Sequence, residues 1–300
     1  MQNRAGLNNR PALAAIGATC VRLPPTVQRI HNCGSAAMIS TPLELAINAW
    51  PAIWLADALR YLIPAALASA AIACLPARWR QARTVRSLSP LPGQRWREFG
   101  HSMVTVLIFS ANGALIYAAA QAGWLCLYFD IGRFGPFYAA FSLMLLIVAH
   151  DTWFYWTHRL MHRAGVFRWT HRTHHRSVAP TPWAAYSFAP AESVVQAAFL
   201  TLILLVLPLH PAVIFVFLLH MIVRNVLGHA GVEWMPRAGL AGWWGRWLTT
   251  TLHHDMHHAH GRFNYGLYFT WWDRMCGTEH PEYRPRLARL AGALEDRSDA

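Results

Sequence analysis

Fourteen of the seventeen histidines in this 300-residue chain fall between His150 and His260. They are grouped rather than scattered. His158 and His162 stand four apart in HRLMH, His171, His174 and His175 make HRTHH, and His254, His257 and His258 make HDMHH. On a helix, side chains three and four apart share a face, with Cβ atoms about 5–6 Å apart. Two imidazoles so placed can reach one metal ion at about 2.0–2.1 Å each. A single histidine in an apolar segment is ordinarily a hydrogen-bonded core residue. Three clusters at ligand spacing point to bound metal.

Other donors are poorly placed. The five cysteines are far apart and form no CxxC, so thiolate ligation has no support. Soluble di-iron bundles use glutamates and paired Glu-x-x-His motifs. Here that spacing occurs once, at Glu98 and His101, outside the clusters, and reads as a chance match. Imidazole suits iron, zinc and copper alike, so the residues leave the metal open. Metal-bound histidines usually pass their second N–H to a carboxylate, carbonyl or water. Asp151, Asp255 and Asp273 are the candidates for that role. Asp255 has a plain alternative as a solvated residue on the outer helix face, and Asp273 as the partner of an arginine. Glu192 heads an apolar run, where a carboxylate either favours the helix dipole or has a catalytic role. His150 stands in the same i, i+4 register as His158 but deeper in the apolar stretch. It reads either as a buried histidine bonded to its neighbours or as a tenth ligand. His253 and His260 read as polar neighbours of the last cluster, and His31, His101, His210, His220 and His280 have no metal role.

The elements that carry these clusters read as membrane helices. The chain is 55% hydrophobic and only 13% charged, where soluble domains carry about 25% charged residues. Fifteen tryptophans and nine tyrosines suit belts at the two membrane interfaces. The net charge of +12 comes from arginine alone, and the arginines flank long apolar runs. Cytoplasmic flanks beside anionic lipid account for them better than a nucleic-acid partner.

Residues 1–40 read as a disordered extension, 41–280 as one membrane-embedded domain and 281–300 as a charged tail. The first membrane candidate runs from about Ala52 to Leu75. It carries Asp57 and Arg60 as a local ion pair, and Pro64 is expected to interrupt it. Arginines 78–86, with Arg95 and Arg97, mark the cytoplasmic side. A second span, Ser102 to Trp124, leads away. A third opens at Pro136, returns, and delivers His158 and His162. From Ala191 to Gly228 the chain is apolar again and is broken at Pro208 and Pro211. A hairpin results, spanning or re-entrant, and its two ends lie on the same side. His229 and the last cluster therefore come back to the face that holds the first two.

The series HRLMH, HRTHH, HDMHH resembles the fatty acid hydroxylase/sterol desaturase superfamily, whose pattern is HxxxH, HxxHH and HxxHH around membrane helices. HAG at 229–231, NYG at 264–266 and WDRMCGT at 272–278 resemble further family stretches, so the likeness covers about residues 100–280. It implies an all-α polytopic membrane bundle with a histidine-rich helical cap on the cytoplasmic side. It also implies two iron ions that use O₂ to attack a C–H bond of a lipid. Carried over by motif, the ligands are His158, His162, His171, His174, His175, His229, His254, His257 and His258. Some family members place a histidine four residues before the equivalent of His229. Asn225 stands there in this chain and either holds a water on the metal or caps the helix.

The expectation is an integral membrane oxidoreductase of a bacterial inner membrane that hydroxylates or desaturates a fatty acyl chain or sterol. A carotenoid hydroxylase or an aldehyde-processing enzyme would use the same boxes. A histidine-rich membrane metal transporter is a different class, and it needs ionisable residues along a mid-membrane path. Nine ligands exceed one four-coordinate structural zinc, so a zinc reading also needs two sites. The chain has no GxGxxG dinucleotide fingerprint, so electrons are expected from a separate reductase, ferredoxin or cytochrome. An arginine-rich surface would steer an acidic donor.

Overall fold

The computed structural model describes residues 41–86 and 88–292, so the reading of residues 1–40 lies outside the described residues. Helix α1 (Pro42–Cys74) starts with a reciprocal cap: the Thr41 hydroxyl accepts the Glu44 N–H at 3.2 Å while the Glu44 carboxylate accepts the Thr41 N–H at 2.7 Å. It begins ten residues before the expected Ala52 and runs unbroken through Pro51 and Pro64. A proline removes one helical hydrogen bond, but a membrane helix packed on a neighbour tolerates it. That neighbour is α3 (Gln94–Gln121), reached through the short α2 (Ala77–Arg83). Small residues on both helices, including Ala46, Ala114 and Ala118, let the two pack closely. Contact is so close that a side chain at Gly113 would meet Ile53 at 2.9 Å.

Helix α4 (Gly135–Met161) returns toward the starting side, with Pro136 in its first turn. Two short helices follow, α5 (Phe167–Thr170) and α6 (Arg172–His175), and then a 3₁₀ turn at Pro182–Tyr186. The apolar hairpin is α7 (Pro190–Leu204) and α8 (Pro211–Gly228), each opened by its proline. Helices α1, α3, α4 and α8 are long and apolar enough to cross a membrane. Helix α7, with 15 residues, is about 22 Å long and falls short of the ~30 Å hydrocarbon layer. Leu67, Phe137 and Phe215 are more than half exposed on the spans, as lipid-facing residues should be. The chain is a polytopic all-helical membrane protein, with no strand among the described residues.

The rest forms a cap at one end of the bundle: α9 (Arg237–Ala241), α10 (Trp243–Trp247), α11 (Thr251–His260), α12 (Trp271–Met275) and α13 (Tyr283–Gly292). Leu240, Leu252, Met256, Tyr283 and Leu287 make a separate apolar core there. Helix α13 occupies much of the segment read as a charged tail, and its buried face closes this core; residues 293–300 lie outside the described residues. The C-terminal ends of α4 and α8 both point into the cap. At the opposite end the connections 122–134 and 205–210 are tied by the Leu127–Leu209 bridge.

Candidate metal centre

The cap and the bundle enclose nine histidines in two groups. His158, His162, His171, His175 and His257 form one, and His174, His229, His254 and His258 form the other; in each, the ligand atoms lie within 4.8 Å of one another. These are the nine residues singled out by motif. The wiring between the groups was not legible in the motifs. In both HxxHH boxes the outer two histidines, i and i+4, enter one group, and the middle one, at i+3, crosses to the other. At 3.6 residues per turn, i+4 lies about 40° past i, while i+3 lies about 60° short of it. The two directions are therefore about 100° apart and serve two centres. The groups adjoin: the His175 and His258 rings stack at 4.8 Å, and the His171 and His174 rings are 5.1 Å apart.

The donor chemistry shows that these clusters suit cations. His158 Nδ1–H donates to the Tyr265 carbonyl at 2.9 Å, and His171 Nδ1–H to Glu192 Oε1 at 2.7 Å. His229 Nδ1–H donates to the Asn225 carbonyl at 2.7 Å, and His257 Nδ1–H to the Phe263 carbonyl at 2.7 Å. Carbonyl oxygens only accept, so the neutral rings of His158, His229 and His257 hold their protons on Nδ1 and leave a lone pair on Nε2; His171 does the same when Glu192 is ionised, the form a bound cation favours. The Nε2 atoms of His158 and His171 face each other at 2.9 Å. His229 Nε2 faces those of His254 at 3.0 Å, His174 at 3.2 Å and His258 at 3.3 Å. Two lone pairs at that distance repel. A tetrahedron of nitrogens at 2.0–2.1 Å from an ion has edges of about 3.3 Å, so a metal ion fits the four-histidine group.

Burial keeps these rings neutral. It holds His171, His174, His175, His254 and His258 well below the usual histidine value, with neighbouring histidines adding to the effect. His229 and His257 are held down to about 4, again chiefly by burial.

The carboxylate that touches a clustered histidine is Glu192, in the first turn of α7 and fully buried. Sequence reasoning weighed a dipole role against a catalytic one and missed this contact; the only signal was a lone acid at the head of an apolar hairpin. The three aspartates expected behind the ligands bond elsewhere. Asp151 accepts the Tyr268 N–H at 2.7 Å, and Asp255 pairs with Arg86 at 3.1 Å. Asp273 accepts the Tyr265 and Gly266 N–H groups at 2.9 and 2.8 Å, with His253 Nε2 3.4 Å away. Two of them thus brace the 264–269 loop, and the third ties α11 to the segment after α2. His150 joins neither group: its Nδ1 meets the Tyr268 hydroxyl at 2.9 Å, and Phe199 and Phe217 pack on its ring. Asn225 donates its amide to the Ala185 carbonyl at 2.5 Å.

A cavity of about 470 Å³ runs inside the bundle among α1, α3, α4, α7 and α8. Its walls are mostly apolar, and Phe154, Phe188 and Asn225 line the end nearest the histidines. The Phe154 ring lies 4.9 Å from His158, and the Phe188 ring 5.3 Å from His174. Along α3 the lining extends from Phe109 to Gln121, about 18 Å.

Residues 143–278 match the profile of the family described as fatty acid hydroxylase. The chain is 31% identical over 205 residues to the Delta(7)-sterol 5(6)-desaturase ERG3B of Gibberella zeae, covering 68% of this chain and 61% of that protein. It is 32% identical over 194 residues to the lathosterol oxidase of Mus musculus, covering 64% and 63%. The chain belongs to the fatty acid hydroxylase/sterol desaturase superfamily. A third superfamily relative, the Delta(7)-sterol 5(6)-desaturase erg3C of Aspergillus fumigatus, is 29% identical over 226 residues, covering 68% of each. The chain thus spans about three fifths of the length of the ERG3B relative. No solved structure matches it. All nine clustered histidines lie within the matched residues.

Proposed function

We propose that this protein is a membrane oxidoreductase that uses O₂ and external electrons to desaturate or hydroxylate a lipid, with sterol-type desaturation the favoured branch. The observation that carries this is the contact between two adjoining all-histidine groups and one end of a long apolar cavity. The names of the relatives favour desaturation of a sterol. Two iron ions, one per group, would supply the O₂ activation and hydrogen abstraction that carbon–hydrogen cleavage needs. His158, His162, His171, His175 and His257 would hold one, and His174, His229, His254 and His258 the other.

The rest is the work of the chain. Phe154 and Phe188 keep the reacting end of the cavity apolar and exclude water. The fixed Nδ1–H bonds of His158, His171, His229 and His257 hold each ring with its lone pair inward. Desaturation removes two hydrogens and, with O₂, two electrons and two protons, yields two waters. Hydroxylation inserts one oxygen atom and yields one water. Both need a separate electron donor. Arg163, Arg168, Arg172 and Arg176 are exposed around the first two boxes and form a basic surface for an acidic one. This arginine-rich end is assigned to the cytoplasm, in a bacterial inner membrane.

The test is to express the protein with an electron donor and compare lipid extracts with those of His171→Ala under labelled O₂. A sterol or acyl product two mass units lighter, or one carrying labelled oxygen, should appear only with the wild type. Identical extracts across sterols, fatty acids and carotenoids would remove the reading.

A further inference from the structure

The cavity is mostly apolar, with polar side chains at Asn112, Gln121, His150 and Asn225 and in one further set of groups. Asp57 and Arg60 on α1, Tyr186 at the end of the 3₁₀ turn, and Gln196 on α7 all line it. Asp57 and Arg60 form an ion pair, Oδ1 to Nη2 2.9 Å, with side chains 11% and 13% exposed. Ionisable groups at membrane depth are expensive to keep and usually serve a function. This pair is incompletely bonded. Arg60 Nε, the Tyr186 hydroxyl that lies against Arg60, and both ends of the Gln196 amide are buried without a well-formed hydrogen bond among the described residues. Buried polar groups are nearly always bonded, so four unsatisfied atoms on one cavity call for a ligand. They comprise two N–H donors, one carbonyl acceptor and a hydroxyl that can do either.

We infer that this set is the recognition site for a neutral oxygen group on the lipid substrate, a hydroxyl above all. The inference rests on the lipid-oxidoreductase reading and extends it to the substrate's chemistry. Asp57 already neutralises Arg60, so the set carries no net charge. A carboxylate placed there would lose its hydration and meet no net positive charge in return. A hydroxyl both donates and accepts, which matches the Gln196 amide and the Tyr186 hydroxyl together. The site also fixes the regiochemistry. Tyr186 packs on Phe188 at 6.1 Å between ring centroids, and Phe188 packs on His174 at 5.3 Å. The polar set is thus two ring contacts from the histidines. The lining toward Tyr117, Gln121 and Phe129 extends the other way and takes the apolar remainder. Oxidation falls on the oxygen-bearing end of the lipid, not on its far tail.

Equilibrium binding separates this from catalysis. Full-length, metal-loaded protein in nanodiscs is titrated with lathosterol, its 3-deoxy analogue and stearate. Wild type should bind lathosterol at least about tenfold more tightly than the deoxy analogue, since a site built for a hydroxyl rejects the partner that lacks it. Gln196→Leu and Tyr186→Phe remove polar atoms at nearly constant volume. Each should erase most of that preference and leave deoxy binding unchanged or stronger. Equal affinities in the wild type, a preference that survives both variants, or tighter binding of stearate overturns the proposal. If the preference is present but no lipid is oxidised, the oxidoreductase reading fails and this one stands.

Discussion

Glu192 is the residue on which the five-histidine group leans. Its carboxylate accepts a hydrogen bond from His171 Nδ1–H at 2.7 Å from a fully buried position. It thereby fixes the tautomer and raises the basicity of the nitrogen aimed at the metal. Outer partners of this kind typically matter by 10–100-fold in metal affinity. Glu192→Ala should weaken metal retention by about that factor in a chelator competition, and Glu192→Gln by less, because the amide oxygen still accepts. Retention unchanged in the alanine variant would show that His171 does not depend on this contact. The same burial makes the metal-free protein acid-sensitive. Burial holds His229 and His257 down to about 4 in the folded protein, below the ordinary histidine value of about 6.5. Protons therefore bind the unfolded chain first, and stability is full above about 6.5 and falls as pH drops toward 4. The loss is about 1.4 kcal/mol per pH unit for each such ring. Thermal unfolding of the apo protein from pH 7.5 to 5 should show a falling midpoint; a flat profile would contradict the buried neutral state.

The element that was present in the motifs but not understood there is the loop after α11. NYG and WDRMCGT were legible as likenesses, yet spacing gave them no mechanism. In the structure Asn264 adopts a left-handed φ of 59° and donates its amide to the His253 carbonyl. A side chain at Gly266 would meet the Phe269 carbonyl at 2.4 Å. Asp273 gathers the Tyr265 and Gly266 N–H groups and the Thr278 hydroxyl. The loop so folded aims the Tyr265 and Phe263 carbonyls at His158 and His257. Asp273→Ala would orphan two buried N–H donors, a destabilisation of roughly 2–6 kcal/mol, and release metal with it. Chemical denaturation checks the first effect and elemental analysis the second. Full stability would mean the loop holds its shape without that carboxylate. Helices α3, α4 and α8 were readable because apolar runs of membrane length leave little choice of structure. The continuity of α1 was not, because Pro64 argued locally against a helix that packing on α3 sustains.

For the whole molecule, the sequence showed that all three boxes meet at one end of the bundle. It did not show the cavity, which is made by residues from five helices with no common spacing. The orientation of that end is open to direct measurement. Arg133 and Arg262 are exposed at opposite ends. Single cysteines placed there, in a background without the native five, should differ in labelling. Position 133 should react from outside intact cells and position 262 only after permeabilisation. The reverse pattern would put the histidines on the other face and remove the proposed donor contact.

Because each HxxHH box sends its middle histidine across to the neighbouring group, one short helical turn serves two centres. An ion bound at either group would pull α6 and α11 into register for the other. Occupancy of the two would then be linked, and the second ion would find its site already ordered. Titrating apo protein with Fe(II) should give a single steep rise to two ions per chain, and half-filled molecules should be scarce. His254→Ala would then lower occupancy at both groups, although it removes a ligand from only one.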